Sequence, residues 1–132
     1  MPSLILAAFV LAHGAIHLSY LAPPPPATAD GPTWPFTLDR SWVLSRAHAS
    51  TAVLRSIGLA LTAVTFASFT LAAMAIVGVV PQTLAPVAVV LGAGSSIGLL
   101  MLFFHPWLVL GLAIDVASLW AVIVAEWSPI AA

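Results

Sequence analysis

The sequence contains no cysteine and no lysine. The first absence excludes disulfides, thiolate metal sites and cysteine nucleophiles; the second excludes Schiff-base chemistry on a lysine amine. Charge of either sign is scarce. Only 5% of residues are Asp, Glu, Lys or Arg, against about 25% in a soluble domain, and a formal net charge of -1 offers no basic field for nucleic acid. There is no Gly-rich phosphate loop and no GxSxG elbow. Nor are there paired intramembrane carboxylates, since Asp115 and Glu126 fall toward opposite ends of the last apolar segment. What is abundant is apolar: 62% of the residues are hydrophobic, the composition of an integral membrane protein.

Four apolar stretches run Leu4 to Leu21, Ala52 to Val80, Leu84 to Phe104 and Trp107 to Trp127. Lipid offers the backbone no hydrogen-bond partners, so each predicts a helix, and the chain reads as one domain, an all-α four-helix transmembrane bundle. Three stretches match the roughly 20 residues of one crossing. The second, at about 43 Å, cannot cross twice and is expected to tilt or to project beyond the lipid. Pro81, Pro86 and Pro106 punctuate short connections, which favour antiparallel neighbours. Trp107 and Trp127 read as interfacial anchors of the last helix.

The one long connection covers residues 22–51. It begins as a stiff PPPP spacer and continues through turn-forming TADG. WPFTLDRSWVLSRAH follows, an amphipathic loop or a short helix capped by Asp39. It serves either as an aromatic belt or as a lid or partner-docking surface. Ala27-Thr28-Ala29 resembles a signal-peptidase site, but no basic region precedes the first apolar segment, which is also longer than the roughly 7 to 15 residues of a usual signal core. That segment is expected to be a retained helix.

All three arginines, Arg40, Arg46 and Arg55, lie at or near the side that carries the long loop. By the positive-inside rule that side is cytoplasmic and both termini are outside. Polar residues concentrate there too. Counted inward from Leu21, His17 lies about 6 Å and His13 about 12 Å deep; counted from Trp107, Asp115 lies about 12 Å below the same boundary. His48 and Arg55 enter from the loop, and His105 ends the third helix.

Helical phase at about 100° per residue puts His13, His17 and Tyr20 on one face of the first helix. If the second helix begins by His48, then His48, Thr51, Arg55 and Thr62 share a stripe. Gly94, Gly98, Met101 and His105 align on the third helix, where GxxxG spacing predicts a contact face, and Gly111, Asp115 and Ser118 align on the fourth. An ionisable group facing lipid costs at least roughly 2.5 to 3.5 kcal/mol, so these stripes are expected to turn inward and meet. Asp115 needs Arg55, His13 or, if protonated, a Ser or Thr hydroxyl as partner.

Several uses of such a site are open. A buried ion-pair network that only holds the bundle together is one. Metal binding is another, because the i, i+4 spacing of His13 and His17 sets two imidazoles on one helical face; His105, His48 or Asp115 would complete the set, and neutral imidazole suits Zn, Cu, Fe or Ni. Gly14 stands where a zincin has its glutamate. A b-type haem would instead need His13 or His17 paired across the bundle with His105 or His48. A proton or substrate relay is the fourth, since histidine titrates near neutral pH. Four spans without a visible inverted repeat do not make a self-sufficient carrier, so a homodimer or larger membrane complex is expected.

HGAIHL near the N-terminus, followed by a loop and three further spans, resembles a group of small uncharacterised bacterial four-span membrane proteins in which an HG-x-x-HL motif ends the first helix. The resemblance rests on the span pattern and on His13, Gly14, His17 and Leu18. It implies that the histidine pair belongs to a shared site and brings no activity with it; the Pro-rich loop departs from the shorter connection expected there. The sequence thus points to a membrane binding or accessory subunit with a histidine-centred site comprising His13, His17, His48, His105, Asp115, Arg55 and Tyr20. The enzyme alternative is a metal-dependent hydrolase or redox protein, and the structural alternative an assembly subunit.

Overall fold

In the computed structural model, residues 2–26, 31 and 33–125 are described; Ala27 to Ala29, Glu126 and Trp127, to which the sequence assigned roles, lie outside them. The protein is an all-α four-helix bundle. Helix α1 spans Pro2–Ile16 and tightens into a 3-10 turn over His17–Leu21; α2 spans Thr51–Ile76, α3 Ala85–Leu102 and α4 Val109–Ile123. With their 3-10 extensions all four are long and apolar enough to cross a membrane.

Local chemistry sets the boundaries. Ser50 caps α2 by accepting from the Val53 amide, satisfying an amide that has no partner inside the helix. His48 adopts a left-handed φ of 57°, so the helix does not begin by His48 and that residue does not continue the Arg55 stripe. At the other end Gly78 takes a φ of 81°. Val79 N–H donates to Met74 O and Gly78 N–H to Ala75 O, the paired bonds of a Schellman stop, so α2 ends before the Val80 expected from hydropathy. Pro86 stands in the first turn of α3 and Pro106 in the 3-10 turn that leads into α4, positions where a missing N–H is harmless.

The helices pack in chain order, α1 on α2, α2 on α3, α3 on α4. Helices α1 and α4 end this curved row and do not pack along their lengths. The fully buried Phe69 of α2 is wedged between two glycines, Gly14 of α1 and Gly92 of α3. Gly92, rather than the Gly94/Gly98 pair, is therefore the close-approach residue of α3. A Cβ on Gly94 would meet nothing within 4 Å, and Gly94 and Met101 are exposed. Helix α3 must serve neighbours on both sides, which it meets through residues 88–89, 92–93, 96 and 99–100; spacing alone could not show that Gly94 falls outside that arc while the half-buried Gly98 lies at its edge, where a Cβ would meet Leu61 at 3.9 Å.

The described residues of the long connection form no regular helix. Ser41, not Asp39, organises it: its hydroxyl accepts from Leu44 N–H while its carbonyl accepts from Ser45 N–H at 2.9 Å. Two anchors tie the segment down. Leu38 fills a notch at Gly58 of α2, and Trp42 Nε1–H donates to Met101 O at the end of α3. Trp42→Phe removes one neutral hydrogen bond, worth about 1 kcal/mol. Tryptic cleavage after the exposed Arg40 and Arg46 should then accelerate about fivefold, the opening being local; an unchanged rate would show that Leu38 suffices.

Candidate functional site: a buried His–Asp–Ser–His chain

The α1 face that buries against the bundle carries His13 and His17, and α4 brings Asp115 to it. All three are buried, Asp115 with no exposed surface at all. His13 Nε2 lies 2.8 Å from Asp115 Oδ1, so the depth match of these two residues becomes a direct bond. It is the polar link between the two helices that end the row. Asp115 is the one fully enclosed residue of a helix otherwise open to the surroundings.

The second carboxylate oxygen turns to α3, where Ser96 Oγ lies 2.5 Å from Asp115 Oδ2. The same hydroxyl lies 2.7 Å from His17 Nε2, and His17 Nδ1–H donates to the His13 carbonyl at 3.0 Å. An unbroken chain results: His13, Asp115, Ser96, His17. Aromatic rings flank it, with the buried Phe69 edge-on to His13 at 5.1 Å and the exposed Phe9 at 6.5 Å nearly parallel to it.

Counting hydrogens along this chain constrains its protonation. The His13 carbonyl can only accept, so His17 carries a hydrogen on Nδ1. If Ser96 donates to Asp115, its oxygen must accept from His17 Nε2–H, and His17 is an imidazolium facing an aspartate. If instead Asp115 is protonated on Oδ2 and donates to Ser96, then Ser96 donates to a bare His17 Nε2, and every group is neutral. The same heavy-atom positions satisfy both arrangements. They differ by the shift of two hydrogens through one hydroxyl, and the site's total charge is the same in each.

Of the residues singled out from sequence, His13, His17 and Asp115 are brought together. Tyr20 is buried on the same face one turn on, its hydroxyl without a partner among the described residues. The others are elsewhere. Arg55 pairs with Asp39 at 2.9 Å on the exposed surface instead of reaching Asp115; His48 is exposed; His105 accepts from Trp107 N–H and bonds Thr33. The ligand set His13, His17 and His105 is thus not assembled. Among the described residues no three His, Asp or Glu side chains are arranged to hold a metal ion, and the space between Gly14 and Gly92 is filled by Phe69.

Ser96 is the member that sequence reading did not name. Counting inward from His105, it lies about 13 Å deep, level with His13 and Asp115, so the same depth count points to it. Its neighbour Ser95 bonds back to Leu91 O and Gly92 O and to Thr65. Two adjacent serines differ by about 100° in direction, and only the packing decides which meets the acid. Compared with known proteins, the chain matches no family model, no curated sequence and no solved structure.

Proposed function

We propose that the chain is a small integral membrane subunit whose histidine-centred site binds and relays a proton. The observation that carries this reading is the continuous path Asp115 Oδ2, Ser96 Oγ, His17 Nε2, with steps of 2.5 and 2.7 Å. In one transfer, the O–H bond of the Asp115 acid breaks as its proton passes to Ser96, while Ser96 gives its own hydrogen to His17. No side chain has to move. Intramembrane ionisable residues are expensive and mark proton or ion pathways where they occur, and a site that redistributes charge while its total stays fixed suits a dry interior.

On this reading the subunit sits in a bacterial cytoplasmic membrane, the arginine-bearing loop inside. Beyond His13 the neighbouring rings are Phe9 and Phe69, which can neither give nor accept a proton. A through path therefore requires a second copy or a larger membrane complex, and the exposed α4 face with Leu110, Val116 and Trp120 is the surface to meet it.

Because both arrangements hold the same number of protons, pH favours neither, so the test varies temperature at fixed pH, with the full chain in lipid nanodiscs. Infrared spectroscopy follows the Asp115 acid carbonyl, and nitrogen NMR follows the His17 imidazole. Coupled changes in the two signals, lost in Ser96→Ala, are the expected result. Signals that stay fixed across the temperature range, or that remain coupled without Ser96, would reduce the site to a static network.

A further inference from the structure

Where α1 leaves the bundle, a second feature lies outside the relay. A cavity of about 420 Å³ opens between the start of the long connection and α2, lined by Tyr20, Trp34, Phe36 and Leu38 with Arg55 and Asp39. Three aromatic rings form a corner of it. Tyr20 meets Phe36 edge-to-face at 5.3 Å, and Trp34 meets Phe36 at 5.4 Å. Two polar atoms of these rings, the Tyr20 hydroxyl and Trp34 Nε1, are closed off behind the cavity surface and have no hydrogen-bond partner among the described residues. Tyr20 itself is only 6% exposed.

We propose that this cavity binds a neutral amphiphile that presents a carbonyl oxygen to Tyr20 and Trp34 and lays an apolar ring or chain against the aromatic corner. The volume is that of a small-molecule pocket, about 300 to 1,000 Å³. An indole N–H can only donate, and a tyrosine hydroxyl has its hydrogen free to give, so the missing partner is an acceptor. Buried donors without partners are rare and call for an explanation; a ligand seated among these rings, the walls shifting to admit it, supplies one.

The charges argue for a neutral acceptor over an anion. Arg55 is the cation of the lining, and its guanidinium already bonds Asp39 at 2.9 Å, so a phosphate or carboxylate would meet an aspartate beside its only counter-charge. A carbonyl meets no such conflict. The position suits an amphiphile as well, since Tyr20 and Leu21 end the first span and Pro23 and Pro24 begin the connection beyond it. A molecule entering from the lipid would bring its polar end to this level. Ring ketones of the benzoquinone class and acyl esters of glycerolipids share the required chemistry. The inference does not depend on the proton relay.

The experiment uses nitrogen-labelled full-length protein in nanodiscs and two probes, a benzoquinone carrying a ten-carbon chain and dioleoylglycerol. The readout is the indole N–H resonance of Trp34, assigned by its disappearance in Trp34→Phe. Addition of the fitting probe should move that resonance downfield with saturation. Tyr20→Phe, which deletes an oxygen that bonds nothing among the described residues and so leaves their packing intact, should weaken binding about tenfold, the worth of one hydrogen bond. A response to the quinone alone assigns a ring carbonyl, and one to the glyceride alone an acyl ester; a response to both supports the shared carbonyl chemistry. The proposal is overturned if neither probe moves Trp34, or if affinity is the same in the wild type and Tyr20→Phe.

Discussion

Asp115→Ala should lower the stability of the detergent-solubilised protein by about 1 to 3 kcal/mol, because it removes two interhelical hydrogen bonds at roughly 0.6 to 1.7 kcal/mol each. The effect is concentrated at one place. Helices α1 and α4 do not pack along their lengths, so the His13–Asp115 bond is what draws the ends of the row together, and its loss frees α4 from all but α3. Asp115→Asn separates packing from chemistry. The amide oxygen still accepts from His13 Nε2–H, its NH2 donates to Ser96, and Ser96 then donates to a neutral His17. Every bond survives, so stability should fall by less than about 1 kcal/mol, while no exchangeable acid proton remains. Denaturant unfolding of both variants, with the His17 nitrogen signal read in parallel, checks the pair. An asparagine variant as unstable as the alanine one would mean that charge itself holds the helices, as in a buried ion pair, and would remove the basis for a relay.

How much of this was legible follows from which signals depend on depth and which on direction. Depth is a one-dimensional count, and it paired His13 with Asp115 across 102 positions of sequence before any fold was known. Helical phase also held where a helix has one packed side, as on α1 with His13, His17 and Tyr20. It misled on α3, which packs on both sides, so the glycine row 94/98 stood out while the working positions were Gly92 and Ser96. Arg55 was drawn inward by the cost of an unpaired charge, but the loop supplied Asp39, a partner whose position depends on how residues 33–50 fold back. Loop conformation set by Ser41 and by the left-handed His48 carries no periodicity to read.

Gly14→Ala should be the most damaging of the glycine substitutions. A Cβ at position 14 would lie 2.7 Å from Phe69 Cβ, and that atom is one bond from the α2 backbone, so no rotamer change moves it. The helices must separate instead. Overpacking of this kind costs about 1 to 3 kcal/mol, and a shift of about 1 Å stretches the 2.8 Å bond from His13 beyond hydrogen-bond range, for a total near 2 to 4 kcal/mol. Other positions grade the mechanism. At Gly92 the obstacle is the wedged Phe69 ring at 3.1 Å, which must give by a few tenths of an ångström, and at Gly58 it is the methyl ends of Leu38, which can turn aside; at Gly94 there is none. The expected order of destabilisation is therefore Gly14, Gly92, Gly58, Gly94, with Gly94→Ala neutral or slightly stabilising through helix propensity. Phe69→Ala should fail to rescue Gly14→Ala, because it keeps the Cβ that clashes. Rescue by that double variant would place the obstruction in the ring and break the argument. If it fails, the glycine after His13 has a plain physical role: it lets α1 approach α2 closely enough for His13 to reach an acid on α4, at the other end of the row.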